Sequence, residues 1–274
     1  MIRLSLFFGL MLGWLGACTA PDEPVRSLGE RPMRIVSLDY CADQFVLKFA
    51  DRDHILAVSP DARKDFSFMR GAADGVESVR PLAEDVLILQ PDLVVRAYGG
   101  GPKAAHFFER AGIPVLDVGW SPDIAAVRAN TLRLAAALGH PERGIAVIDE
   151  MDRRLAEIAP SDERHSALYT TPGGVTAGPG GMVGEMLEAA GLVNFETRDG
   201  WHQLPLERLT RERPDVFVFA DFDGGVGPWS AARHPVLRQR MDSADALEIE
   251  GAWTSCGGWF IIEAIEALAA ESAP

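Results

Sequence analysis

Short apolar runs alternate with amphipathic stretches along most of this 274-residue chain. Residues 34–38 (Arg-Ile-Val-Ser-Leu) predict a strand, and Asp39 or Asp43 follows as the cap of a helix reaching about Ala50. Residues 55–58 predict a second strand, 81–89 a helix, 92–95 a strand apolar on both faces, 102–111 a helix and 114–118 another strand. Two-sided apolar strands alternating with helices predict a parallel sheet covered on either face. Two helices then follow without a strand between them: 124–138, ended by Gly139, and 141–159, opened by Pro141 and stopped by Pro160. The second carries Ile145, Ile148, Met151 (or Val147), Leu155 and Ile158 at three- or four-residue spacing, hence one apolar stripe. At 1.5 Å per residue, ~19 residues span roughly 28 Å, enough to run along the backs of two lobes. The alternation then resumes, with strands at 167–170 and 216–219 and helices at 182–190, 206–212 and 261–270.

The two halves repeat each other. Leu82-Ala-Glu84-Asp-Val86 leads to Pro91-Asp-Leu-Val-Val95, and Leu206-Glu207-Arg-Leu209 leads to Pro214-Asp-Val-Phe-Val218. In both, a Glu at a helix start lies seven residues before a Pro-Asp that opens an apolar strand. Each strand runs into a glycine loop beginning with an aromatic: Tyr98-Gly-Gly-Gly-Pro102, and Phe222-Asp-Gly-Gly225 through Gly227-Pro-Trp229. Three features in one order predict an α/β fold of two similar lobes with parallel-sheet cores, connected by one long interlobe helix. The lobes take residues 33–138 and 161–274, and the helix takes 139–160. Ligands of parallel α/β sheets sit beyond the strand carboxyl ends, so facing lobes bring both glycine loops to one cleft. Trp120, Trp201, Trp229, Trp253 and Trp259 fall in or beside predicted loops, and Tyr40, Tyr98 and Tyr169 at strand ends. Rings in that position suit a bulky ligand with rings of its own.

The amino terminus carries an address. Arg3 precedes an apolar run, residues 4–17, of the length of a secretory signal and short for a membrane span. The run ends Leu15-Gly-Ala-Cys18, which resembles the lipobox of bacterial lipoproteins, where cleavage before the cysteine frees its thiol for diacylglycerol. The expectation is a signal peptide at 1–17, lipidation at Cys18, a proline-rich tether at 18–32 and a membrane-anchored periplasmic protein. An ordinary signal cut after Ala20 is the alternative. Export leaves Cys41 and Cys256 in an oxidising compartment, either as a disulfide or as two thiols that never meet.

Charge and motif content narrow the function. Lys plus Arg number 26 against 40 for Asp plus Glu, a formal charge of −14 that repels phosphate backbones and disfavours nucleic acid. The six histidines are scattered without metal-ligand spacing, and no Gly-x-Ser-x-Gly elbow occurs. The chain is therefore expected to be no enzyme and to hold no resident metal or cofactor. A free-metal-ion binding protein and, further off, a periplasmic hydrolase are the rival readings.

Residues 34–44 (Arg-Ile-Val-Ser-Leu-Asp-Tyr-Cys-Ala-Asp-Gln), Glu84 with 91–95, Thr176-Ala-Gly178 before residues 187–194, and Trp253 to Gly258 together resemble the iron-siderophore/cobalamin class of ABC-transporter substrate-binding proteins. The likeness runs over about residues 33–270. It implies a monomer that captures a metal chelate (ferric siderophore) or corrinoid in a preformed cleft and delivers it to an ABC permease dimer. It further implies that Glu84 and Glu207 pair with permease arginines. By position the ligand-binding residues are Tyr40, Tyr98, Trp201 and Trp253, then Tyr169 and Trp229. Arg63, Lys64, Arg96 and Arg233 are the cationic candidates for an anionic ligand group. No cluster of cations is evident in the cleft loops, which tilts the expectation toward a neutral chelate or a corrinoid.

Overall fold

The computed structural model describes residues 31–158, 164–222, 230–241 and 245–271. The leader with Cys18, Pro160, Trp229 and most of the second glycine loop lie outside these residues. In chain order the first half contains β1 (Ile35–Ser37), α1 (Tyr40–Phe49), β2 (Ile55–Ala57), α2 (Ala83–Ile88), β3 (Leu93–Arg96), α3 (Ala104–Arg110) and β4 (Val115–Asp117). Two adjacent helices follow, α4 (Ile124–Ala137) and α5 (Pro141–Glu157). The second half contains β5 (Ser166–Thr170), β6 (Val175–Ala177), α6 (Met182–Ala189), β7 (Val193–Asn194), β8 (Trp201–Gln203), α7 (Leu206–Leu209), β9 (Val216–Asp221), α8 (Pro235–Met241), β10 (Asp245–Glu250) and α9 (Ile261–Glu271).

Both main sheets are parallel and have the same topology. The first has the order β2-β1-β3-β4, and the second β10-β9-β5-β7, which is the same path read from its other edge. The repeated Pro-Asp explains part of that symmetry. Asp92 accepts the N–H groups of Met33 (2.9 Å) and Arg34 (3.0 Å) just ahead of β1. Asp215 accepts the N–H and hydroxyl of Ser166, each at 2.7 Å, where β5 opens. In each lobe the same carboxylate thus pairs donors at the open end of the neighbouring central strand and sets its register. β6 and β8 form a separate antiparallel ribbon inserted into the second lobe.

Several sequence expectations change. The helix expected over 206–212 ends at Leu209. The Thr210 hydroxyl donates back to the Glu207 carbonyl at 2.7 Å, and Arg213, preceding Pro214, is kept out of helical backbone. β6, β7, β8, β10 and α8 were not anticipated. β6, β7 and β8 are only two or three residues long, and the six-residue β10 (Asp-Ala-Leu-Glu-Ile-Glu) buries only Ile249 among its described side chains, so no two-sided apolar run marks it. On α5, Ile145 is 53% exposed and stands outside the stripe; Gly144, Ile148 and Met151 are its buried positions. A Cβ at Gly144 would stand 2.6 Å from that of Ala135, so α4 and α5 pack at a distance only glycine permits.

α5 is pinned at both ends. Arg143 donates to Asp51 (2.6 Å) and to the Phe49 carbonyl (2.8 Å) in the first lobe. Arg154 pairs with Glu263 (2.7 Å) and Glu266 (2.5 Å) on α9 in the second. A second contact between the lobes adds to the connecting helix. Trp259, expected in or beside a loop, is 7% exposed and packs edge-on against Phe45 and Phe49, with ring centroids 5.5 and 5.4 Å away. Phe260 stacks on Phe68 at 4.6 Å. One apolar cluster runs through both lobes. Aromatic rings each bury about 150–250 Å², so a shared core resists lobe separation far more than a bare helix would. Among the described residues no helix is long and apolar enough to cross a membrane.

Candidate functional site

The chain leaves β1 toward β2 on one side and leaves β3 toward β4 on the other. The carboxyl ends of β1 and β3 therefore splay, and a crevice opens there. Asp39, directly after β1, is 3% exposed and organises that end. One carboxylate oxygen accepts the N–H groups of Ala97 (2.8 Å), Tyr98 (3.0 Å) and Gly99 (2.8 Å). The other accepts Ala42 N–H at 3.0 Å, so Asp39, not Asp43, caps α1. Arg96 supports the same loop from beneath, donating to the carbonyls of Gly99 (2.9 Å) and Gly101 (3.1 Å). A Cβ at Gly99 would lie 2.4 Å from the Leu38 carbonyl oxygen, which is why glycine follows the aromatic.

A cleft of about 660 Å³ opens between the lobes, within the usual size range of ligand sites. Tyr98 and Trp120 line it from the first lobe; Trp201 and the glycine turn leading into α6 line it from the second. Thr254, Ser255, Cys256 and Gly257 form its floor. Tyr98, Trp120 and Trp201 are 53%, 77% and 54% exposed. Three large rings left open in one concavity are costly to hydrate and mark a binding surface.

Of the ring residues expected from sequence, the structure brings Tyr98 and Trp201 to the cleft. Tyr40 stands behind the wall, its ring 6.0 Å from that of Tyr98 and 4.8 Å from that of Phe66. Tyr169 is 1% exposed and does not reach the surface; its ring lies 6.2 Å from Trp201 and its hydroxyl 3.1 Å from that of Thr254. Burial pushes that hydroxyl up to about 12. Trp253 faces a separate polar hollow with Arg70 and Glu250, outside the cleft. Trp120, one of the loop rings noted from the sequence but not among the six assigned to the ligand, also lines the cleft, directly after Gly119 beyond β4.

None of the expected cations lines the cleft. Arg63 donates to the carbonyls of Ala73 and Val76, and Arg96 is the loop support described above. Lys64 and Arg233 are exposed elsewhere. The one charged residue among the described lining is Asp117, which pairs with Arg96 at 3.5 Å. Desolvation raises the hydroxyls of Tyr98 in the wall and Tyr40 behind it further above their ordinary value, and a phenol is neutral near pH 7 even without that shift. Cys41 and Cys256, both lining the cleft, are joined by a disulfide at its floor, with Cα atoms 5.6 Å apart. Glu84 and Glu207 are both exposed, each the second residue of its helix, α2 or α7.

Asp43 lies fully buried beneath this region, accepting the N–H (3.1 Å) and hydroxyl (2.5 Å) of Ser59. Burial raises it from 3.8 to about 6. A carboxyl raised on folding contributes stability that is complete below its unfolded value and is lost as pH rises through the folded one. Asp43→Asn is therefore expected to match wild type near pH 4 and to exceed it by about 1–2 kcal/mol near pH 7.5. Urea midpoints at the two pH values check this, and a variant less stable than wild type at the higher value contradicts it. Glu196, held at about 2 chiefly by Arg198, acts in the opposite sense, losing its contribution as pH falls through that value. It does so equally in both proteins and cancels from the difference.

Two lobes of identical strand order, a shared core and an aromatic cleft at the strand carboxyl ends define a two-lobed α/β protein with an interlobe cleft. The chain belongs to the family described as Periplasmic binding protein, whose model matches residues 35–239. It is 29% identical over 218 residues to a cobalamin-binding protein of Halobacterium salinarum. That match covers 74% of this chain and 59% of the relative, so the chain spans about three fifths of the length of the curated relatives it matches. The periplasmic heme-binding protein RhuT from Roseiflexus sp. RS-1, in apo form, is 21% identical with a TM-score of 0.69, covering 88% of this chain and 99% of that one. The periplasmic vitamin B12 binding protein BtuF of Vibrio cholerae is 18% identical with a TM-score of 0.60, covering 87% and 96%. At these identities the structures establish the fold alone.

Proposed function

We propose that this chain is the substrate-binding component of an ABC importer, exported to the periplasm and tethered through a lipid on Cys18, and that its cargo is a corrinoid. It carries the cargo to a permease dimer and performs no chemistry on it. The single observation behind the cargo assignment is a cleft walled by three exposed rings and lined by no cation among the described residues. Catecholate siderophores and the propionates of haem call for cationic partners, whereas a corrin ring carries neutral amide arms. Similarity to a cobalamin-binding protein points the same way.

The test of cargo is titration with cyanocobalamin, hemin and a ferric catecholate in parallel. Preference for cyanocobalamin is expected, and preference for either anionic ligand refutes the assignment. For docking, exposure and matching placement of Glu84 and Glu207 in the two lobes support contact with one permease subunit each. Replacing both with Lys is expected to cut uptake of labelled cyanocobalamin in the host at least about tenfold, with affinity for the free ligand unchanged. Unimpaired uptake removes the two residues from the docking surface.

A further inference from the structure

At the root of the cleft, four consecutive residues of the second lobe are each held by a different partner. The Thr254 hydroxyl meets that of Tyr169 at 3.1 Å. Ser255 Oγ donates across the lobe boundary to the Phe66 carbonyl at 2.9 Å. Cys256 is bonded to Cys41 in the first turn of α1. Gly257 lies against Ser121, where a Cβ would come within 2.8 Å of the serine Cβ. All four, and Cys41, line the cleft. Three of the four anchors cross from one lobe to the other, and one is covalent.

We infer that the Cys41–Cys256 bridge is a positioning element for ligand binding, fixing residues 254–257 as the cleft floor between the Tyr98–Trp120 wall and the Trp201 wall. Lobe attachment does not need it, because Trp259 and Phe260 already insert among Phe45, Phe49 and Phe68. The floor differs from that joint. Thr254 and Ser255 bond locally to the carbonyls of Gly251 (3.4 Å) and Ala252 (3.3 Å), but their small side chains and Gly257 pack little, so the placement of the segment against the first lobe depends on its interlobe anchors. Without the bridge, the floor gains conformers that a ligand must suppress on binding, and affinity falls accordingly. Ligand retention thereby becomes sensitive to thiol reductants. A dithiol supplies two electrons and two protons to the bridge, leaves two thiols, and departs as its own cyclic disulfide. The inference rests on the corrinoid reading only through the probe chosen to measure affinity.

The experiment compares wild type, Cys41→Ala/Cys256→Ala, and wild type reduced with dithiothreitol, all well below their melting temperatures. Amide hydrogen exchange is followed without ligand, and cyanocobalamin affinity by calorimetry. Faster exchange confined to 254–257, with exchange around Phe45 and Trp259 unchanged, is expected together with about tenfold weaker binding in both unbridged forms. Unchanged affinity, whatever the exchange, overturns the inference. Should wild type bind no cyanocobalamin, the corrinoid reading fails by itself; exchange then decides the inference, with unaltered protection at 254–257 overturning it and lost protection there upholding it.

Discussion

Trp120→Ala and Trp201→Ala are expected to weaken cyanocobalamin binding about thirtyfold each and about a thousandfold together. A large ring in a binding cleft typically contributes about 2 kcal/mol, and each 1.4 kcal/mol is tenfold. The two rings stand on walls contributed by different lobes, Trp120 after β4 and Trp201 at the start of β8, so their losses should add. Stability should be nearly untouched. Both side chains are more than half exposed in the free protein, so truncation removes little packing and changes stability by no more than about 0.5 kcal/mol. Calorimetric titration of the three variants, with thermal melts alongside, measures both quantities. Wild-type affinity in the double variant would mean that the cargo binds elsewhere.

Asp39→Ala should have the opposite signature, a large loss of stability. Four backbone N–H groups converge on this carboxylate, three from the Tyr98 loop and one from α1, and the residue is 3% exposed. Hydrogen bonds to a charged acceptor contribute about 1.5–3 kcal/mol each, although not additively, and donors orphaned in the interior cost more than donors facing water. We expect about 4 kcal/mol of destabilisation, and a melting temperature lower by about 8–16 °C for a chain of this size. Asp39→Asn keeps one carbonyl acceptor and should recover about half of the loss. Because the orphaned donors include Tyr98 N–H, exchange at 97–99 should rise in both variants. A melting point for Asp39→Ala within about 2 °C of wild type would show that water or a neighbouring group replaces the carboxylate.

Part of this architecture was legible before any coordinates. β1, β3, β5 and β9 are central strands buried on both faces, and such strands leave uninterrupted apolar runs in the sequence. The Pro-Asp pairs were recognisable as a repeat, although their task of holding the start of the neighbouring strand was not. Tyr98 stood out because an aromatic followed by glycines is an unusual way to leave a strand. Tyr169 looked equivalent and is not. Both rings sit at strand ends, but one points to solvent and the other into the core, and strand position does not tell these apart. Arg96 misled for a similar reason: near an aromatic loop a guanidinium suits a ligand, yet here it serves the loop's own carbonyls.

The chain's local pattern determined the two α/β lobes, their common order of elements and the long α5 helix, because periodicity and turn chemistry act over a few neighbouring residues. Only the tertiary structure decided how the lobes meet. Phe45 and Trp259, or Cys41 and Cys256, are more than two hundred residues apart, and nothing near either member of a pair specifies the other. The same long-range packing selects which rings remain in the open and pairs Asp117 with Arg96. A neutral aromatic cleft is therefore a property of two assembled surfaces and of neither stretch of sequence alone.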